Sequence, residues 1–151
     1  MTEKARELGY ASEIVSSCLE GEAQEVGKKI TRDLHTATAP RARLYGGETT
    51  VTIRGTGSGG RNRELVLAAL PHLAENEVVL SVASDGWDHG PYAGAIGDVQ
   101  GFIKAKKMGI PIDEYLSTNN AEAFFKQTED YIITGTTGSN VSDLIIALKT
   151  T

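Results

Sequence analysis

Apolar and polar positions recur along this chain with two different periods, and each change of period marks an element. In the stretch "EGEAQEVGKKITRDLHTA", Ala23, Val26, Ile30 and Leu34 follow one another at steps of three and four residues. That spacing predicts an amphipathic helix, and its acidic start and basic later turns suit the helix dipole. A second helix is predicted over "RNRELVLAALPHLA", with Leu65, Ala68 and Ala69 inward and Pro71 ending or kinking it. "TEKARELG" reads as the last turns of a helix stopped by Gly9, and "AIGDVQGFIKAKKMG" and "NAEAFFKQTE" also read as helices. Strands are predicted at "YASEIVSS", "RARLY", "TVTIR", "EVVLSVAS", "YIITG" and "LIIALK". The near-continuous apolar run of "EVVLSVAS" predicts a strand buried on both faces. "RARLY" and "TVTIR" stand too close together to be parallel, so a hairpin is expected over residues 41–54. Strand and helix alternate throughout. The expected fold is α/β: one three-layer domain over residues 1–151, with a mixed, mostly parallel sheet.

The polar clusters fall at the ends of the predicted strands. "GGETT" follows 41–45, "SDGWD" follows 78–83 and "GTTGSN" follows 131–134. In open α/β sheets, ligands bind beyond the carboxyl ends of strands. If 78–83 and 131–134 run the same way, Asp85, Asp88, Thr136, Thr137 and Asn140 converge on one edge. The predicted hairpin would send "GTGSGG", residues 55–60, to the edge opposite Glu48. A loop of that length spans about 20 Å when extended, enough to fold back. Successive backbone N–H groups where such a loop enters a helix bind anions, and the planar fork of Arg61 suits phosphate or carboxylate. The competing reading is a flexible turn followed by a solvated arginine.

Gly55, Gly57 and Gly60 also fit the dinucleotide pattern G-x-G-x-x-G. Two features count against that reading. "TVTIR" alternates where a first Rossmann strand is apolar throughout, and Arg61, Asn62, Arg63 and Glu64 follow the third glycine where small or apolar side chains are wanted.

Composition narrows the setting. The chain has 151 residues, 40% hydrophobic and 23% charged, which suits one domain with a substantial core. A formal net charge of -5 argues against nucleic acid or an anionic membrane surface as partner. A single cysteine, Cys18, excludes an internal disulfide and suits a reducing compartment. No apolar run approaches the roughly 20 residues of a membrane helix, and "MTEKARELGY" has no signal-peptide core. A cytoplasmic location is expected. His35, His72 and His89 have no metal-ligand spacing with one another or with Cys18, so no metal-ligating residues are expected. His89 is the histidine nearest the polar clusters, and Trp87 is either a wall of the site or a cover for its own loop.

The segments "GEAQEVG", "GGETTVTIRGTGSGGRNRE", "SDGWD", "AGAI" and "TGTTGSNVSDLIIAL" occur in the order found in the C-terminal domain of glycerate 2-kinases. The chain resembles this MOFRL domain, of the family formerly named for hydroxypyruvate reductase, from about Ile14 to Leu148. The resemblance implies an ATP-dependent kinase acting on the 2-hydroxyl of glycerate. It also implies a cleft shared with an N-terminal Rossmann-like kinase domain, to which nothing in this chain corresponds. ATP and Mg2+ are the implied cofactors of the intact enzyme, with neither expected to bind this domain tightly by itself.

Matching motif by motif, Arg61 and Asp85 take the catalytic positions, with Arg61 expected on the substrate carboxylate or the transferring phosphate. Glu48, Gly59, Gly60, Asn62, Thr136, Thr137 and Asn140 take substrate-binding positions. Glu48 and Asp85 are carboxylates suited to magnesium, directly or through water. There are departures. Thr56 and Ser58 stand where the family often has lysines, Arg63 replaces a usual glutamine, and "WDHGPYAGAI" lacks an aspartate of the usual "DGPTDAAGA". Arg63 is expected to point elsewhere around the helix than Arg61 and to matter little. Two other functions fit the residues: a non-catalytic module that binds a small acid or phosphate, and a nicotinamide-dependent hydroxypyruvate reductase. The sequence does not fix the oligomeric state.

Overall fold

The computed structural model describes all 151 residues and is built on one six-stranded sheet. The strands are β1 (Ala11–Leu19), β2 (Arg41–Gly47), β3 (Glu77–Ala83), β4 (Gly94–Asp98), β5 (Tyr131–Ile132) and β6 (Asp143–Lys149), in the order β1-β2-β6-β3-β4-β5. The sheet is mixed, as expected, but its pairing is mostly antiparallel. Only β1 and β2 pair in parallel, and the other four pairs are antiparallel. β1, β2, β3 and β5 still point one way, against β4 and β6. The reason lies in the connections. A crossover helix, α2 (Ala23–His35), joins β1 to β2, whereas β3 reaches β4 through a short loop that forces reversal.

The predicted hairpin does not form. Strand β2 has both edges taken, by β1 and by β6, so "TVTIR" finds no place beside it. That segment runs as an extended loop, tied to the start of α2 by one bridge between Thr50 and Glu22. Residues 94–98 form β4 rather than the start of a helix, and α4 (Val99–Lys107) begins where the Asp98 side chain accepts from Gly101 N at 2.8 Å. The small residues of β4 leave room for a helix above it: the nearest neighbours of Gly97 are side chains of Val66, Leu70 and Leu73.

The remaining helices are α1 (Thr2–Glu7), α3 (Arg61–Ala69, continued by a 3-10 turn over Leu70–His72), α5 (Ile112–Ser117) and α6 (Ala121–Thr128). Helix α5 has no counterpart among the predicted elements. Along β2 and β6, Tyr45, Ile145 and Ala147 face the main core together with Ala23, Ile30 and Leu34 of α2 and Leu65, Val66 and Ala69 of α3. Their neighbours Ala42, Leu44, Ile146 and Leu148 face the other way, toward Ala5 and Leu8 at α1. The third layer is therefore one short helix. Strand β3, expected to be buried on both faces, alternates between buried and half-buried positions for the same reason.

Helices α2 and α3 meet at Gly27. A Cβ there would fall on the Leu65 carbonyl oxygen, so the two backbones touch only because the side chain is missing. Gly27→Ala should destabilise the fold by about 1–3 kcal/mol through overpacking. A thermal melt checks this: a drop of several degrees is expected, and an unchanged midpoint would mean the helices separate freely.

Candidate functional site

The carboxyl ends of β1, β2 and β3 lie along one edge, with the amino end of β6 between β2 and β3. Gly47, Asp143 and Ala83 are directly aligned there. Glu48 therefore leaves β2 beside Asp143, with Asp85 two residues past the end of β3. Above this edge stands Arg61, the first residue of α3. Its Nε donates to Asp143 Oδ2 at 2.5 Å and its Nη2 to Asp143 Oδ1 at 3.1 Å, a bidentate pair. Glu48 Oε2 lies 3.4 Å from the same Nη2. The Asp143 bond raises the Arg61 pKa above its ordinary value. The Arg61 side chain stays 36% exposed while Asp143 is 2% exposed, so the guanidinium is anchored on one side and open on the other.

Arg61 lines a cleft of about 460 Å3 together with Thr49, Thr50, Gly59, Gly60, Glu64 and Asn119. Trp87, Asp88 and His89 of the β3–β4 loop line it as well, with Val51, Ile53 and Gly57. The glycine loop does fold back to the edge that carries Asp85: a Cβ on Gly60 would collide with the Asp88 carboxylate. Asn119 and Asn120, between α5 and α6, hold the loop. Asn119 Oδ1 accepts from Arg54 N at 2.6 Å and Gly55 N at 3.1 Å, Thr118 O accepts from Gly57 N, and Asn120 Oδ1 accepts from Ser58 N. The N–H groups of Gly59 and Gly60 make no hydrogen bond within the chain.

The start of α3 is not a vacant anion site. Asp88 fills it from a distant loop, its Oδ1 accepting from Asn62 N at 3.1 Å and its Oδ2 from Arg63 N at 3.0 Å. Asn62, expected to bind substrate, is buried instead. Its Nδ2 donates to Asp88 Oδ1 and its Oδ1 accepts from Ser81 Oγ. Arg63, expected to matter little, is the largest fully buried side chain. It donates to Asp88 Oδ2, to Glu122 Oε2 and to the carbonyl oxygens of Asp88 and His89, with Tyr92 against its guanidinium. Steps of one and two residues turn Asn62 and Arg63 away from the cleft, and the step of three returns Glu64 to the face of Arg61.

Asp85, Thr136, Thr137 and Asn140 lie on the same edge but do not line this cleft. Asp85 Oδ1 accepts from Trp87 N at 3.0 Å, an Asx turn. Thr136 Oγ1 accepts from Trp87 Nε1, Thr137 Oγ1 donates to Ser84 O, and Asn140 Oδ1 accepts from Ser142 N. The two loops are thus laced together beside the cleft. His89 lines the cleft, and His35 bonds through Nδ1 to the buried Glu77 at the far end of the sheet. Asp143, Glu64 and Asn119 were not among the expected site residues. Only Asp143, a lone acid directly ahead of an apolar strand, carried a visible signal.

Glu122 ties the loop to the helices. Its carboxylate accepts from Lys126, Ser58 and Arg63. The Lys126 ammonium, helped by Ser58 and Arg63 against the cost of burial, holds its pKa at about 2 instead of 4.5. A lowered folded-state value contributes stability that is present above the unfolded value and lost as pH falls. The melting temperature should fall between pH 4.5 and about 2, and Glu122→Gln should flatten that part of the profile. An unchanged slope would place the acid sensitivity elsewhere.

The arginine-centred cleft at the carboxyl ends of co-directed strands lies where open α/β sheets receive their ligands. Residues 41–143 match the model of the MOFRL family, and the chain belongs to that family. It is 38% identical to the D-glycerate 2-kinase of Thermotoga maritima over 95% of this chain and 37% of that protein. It is 34% identical to the glycerate 2-kinase of Pyrococcus horikoshii over 97% of this chain and 36% of that protein. The crystal structure of glycerate kinase from Thermotoga maritima superposes with a TM-score of 0.93 at 36% identity, covering 98% of this chain and 38% of that one. The chain spans little more than a third of the length of these relatives. No helix is long and apolar enough to cross a membrane.

Proposed function

We propose that the cleft is one wall of the active site of an ATP-dependent glycerate 2-kinase, the other wall lying in the segment that the relatives have and this chain does not cover. The observation that carries this reading is Arg61, clamped by Asp143 and Glu48 with its free face in the cleft beside Gly59 and Gly60. In the reaction, the 2-hydroxyl oxygen of glycerate bonds to the γ-phosphorus of ATP and the bond from that phosphorus to the bridging oxygen breaks. The hydroxyl proton is released, and 2-phosphoglycerate and ADP form. Phosphoryl transfer asks for positioning and charge neutralisation rather than covalent help. Arg61 supplies a preorganised fork for the carboxylate or the transferring phosphoryl group, and the Gly59 and Gly60 N–H groups supply neutral donors.

No three His, Cys, Asp or Glu side chains cluster closely enough to cage a metal. Magnesium habitually rests on nucleotide phosphates with only one or two carboxylates, and the half-exposed Glu48 beside Arg61 suits that lighter role, whereas Asp85 is turned to its own loop. Bound there, the ion would neutralise phosphate charge. The alternative of a stand-alone anion-binding module rests on the same cleft.

The test is a chimera that joins this chain to the uncovered segment of the Thermotoga maritima relative, assayed with glycerate and ATP. Turnover by the chimera and none by the 151-residue chain alone is expected. A chimera that folds and binds glycerate without turning over would favour the binding module, and turnover by the chain alone would remove the need for a second wall.

A further inference from the structure

Glu64 lines the same cleft as Arg61, one helical turn further along α3, and is itself almost wholly buried. Its Oε1 accepts from Gln24 Nε2 at 2.8 Å and from Asn119 Nδ2 at 3.1 Å, and its Oε2 is 3.4 Å from the same Asn119 nitrogen. Gln24 Nε2 also donates to Leu116 O, and Asn119 Nδ2 to Thr52 O. Asn119 has a left-handed backbone, φ 54°, which turns the α5–α6 connection so that its side chain reaches the loop. Its Oδ1 then accepts from Arg54 N and Gly55 N, where the chain enters the glycine loop. Side chains from α2, α3 and the α5–α6 turn thus form a continuous chain of hydrogen bonds beneath that loop.

We infer that Gln24, Glu64 and Asn119 are positioning residues, a relay that fixes the glycine loop so that the Gly59 and Gly60 N–H groups meet the ligand held by Arg61. This rests on the proposed anion cleft. Burial, the main cause, raises the Glu64 pKa, and the Gln24 and Asn119 amides oppose that by supporting the ionised form. Both Glu64 oxygens face the Asn119 amide nitrogen, so a carboxylate, which accepts at both ends, fits where an amide would turn a donor toward a donor. Swapping the partners keeps the link between positions 64 and 119 and gives up only the bond from Asn119 to Thr52 O. With Glu64→Gln, the new amide faces a donor in Asn119; with Asn119→Asp, two carboxylates face each other. With both changes, the amide at 64 donates to the carboxylate at 119, which still accepts from Arg54 N and Gly55 N.

The experiment follows the 151-residue chain by NMR, with inorganic phosphate and glycerate as separate probes, in the wild type, both single variants and the double variant. Each single change should weaken probe binding about tenfold, the size of one lost hydrogen bond to a charged group. Each should also speed amide exchange at Arg54 and Gly55, and the double variant should recover both. A double variant no better than the weaker single, or singles that bind and exchange like the wild type, would overturn the relay. If the wild-type signals of Gly59, Gly60 and Arg61 ignore both probes, the anion cleft itself fails, while the exchange rates at Arg54 and Gly55 still judge the relay.

Discussion

Arg61→Lys, in the chimera that carries the second wall, should lower kcat/KM by on the order of a hundredfold, the scale of losing one preorganised donor to a transition state. Lysine keeps the charge and loses the fork. In the structure, the fork serves two purposes at once. One side is spent on both oxygens of Asp143, and Glu48 stands near the same Nη2, which aims the remaining N–H groups at the cleft. A lysine ammonium can bond to Asp143 or turn to a ligand, but a single nitrogen cannot hold both in fixed geometry. Because Asp143 is buried, the substitution also has a folding cost, about 1 kcal/mol for one lost hydrogen bond. Steady-state kinetics with a parallel thermal melt separates the two effects. A large kinetic loss with a melt lowered by only a few degrees is the expected pattern. A kinetic loss no greater than the folding loss would make Arg61 a structural tie for Asp143.

The parts of this molecule that could be read from sequence are those fixed by local periodicity. The helices around Ile30 and Phe124, and the strands ending at Ala83 and Lys149, follow from the spacing of their apolar residues. The loops after β3 and β5 do share one edge, the outcome expected if those strands run the same way, although β4, expected as helix, reverses the chain between them. What failed depended on partners distant in sequence. "TVTIR" has the pattern of a strand, but β6 occupies the edge it would need. Arg61 and Arg63 are chemically identical and two residues apart. Only the arrival of Asp88 and Glu122 from other loops makes the second a core residue and leaves the first in the cleft. The glycine loop was legible as a donor of N–H groups, yet which groups remain free depends on Asn119 and Asn120, some sixty residues away.

Arg63→Met should be the most destabilising single change considered, about 3–5 kcal/mol, the usual cost of removing one member of a buried ion pair. Arg63 and Asp88 are 0% and 2% exposed, so water cannot replace what either loses. Methionine keeps much of the stem volume, which limits any cavity and isolates the charge effect. The Asp88 carboxylate would still cap Asn62 N and Arg63 N but would lose its only cationic partner. The carbonyl oxygens of Asp88 and His89 would lose their shared donor, and Glu122 would keep only Lys126 as a cation. All of these groups belong to the loop that walls the cleft or to α6 behind it, so anion binding should weaken along with the fold. Urea unfolding of Arg63→Met, Asp88→Asn and the double variant measures the coupling. The double variant should cost markedly less than the sum of the singles, because neutralising Asp88 removes the uncompensated charge. Strict additivity would show that the two residues stabilise the fold independently and that Arg63 acts through packing alone.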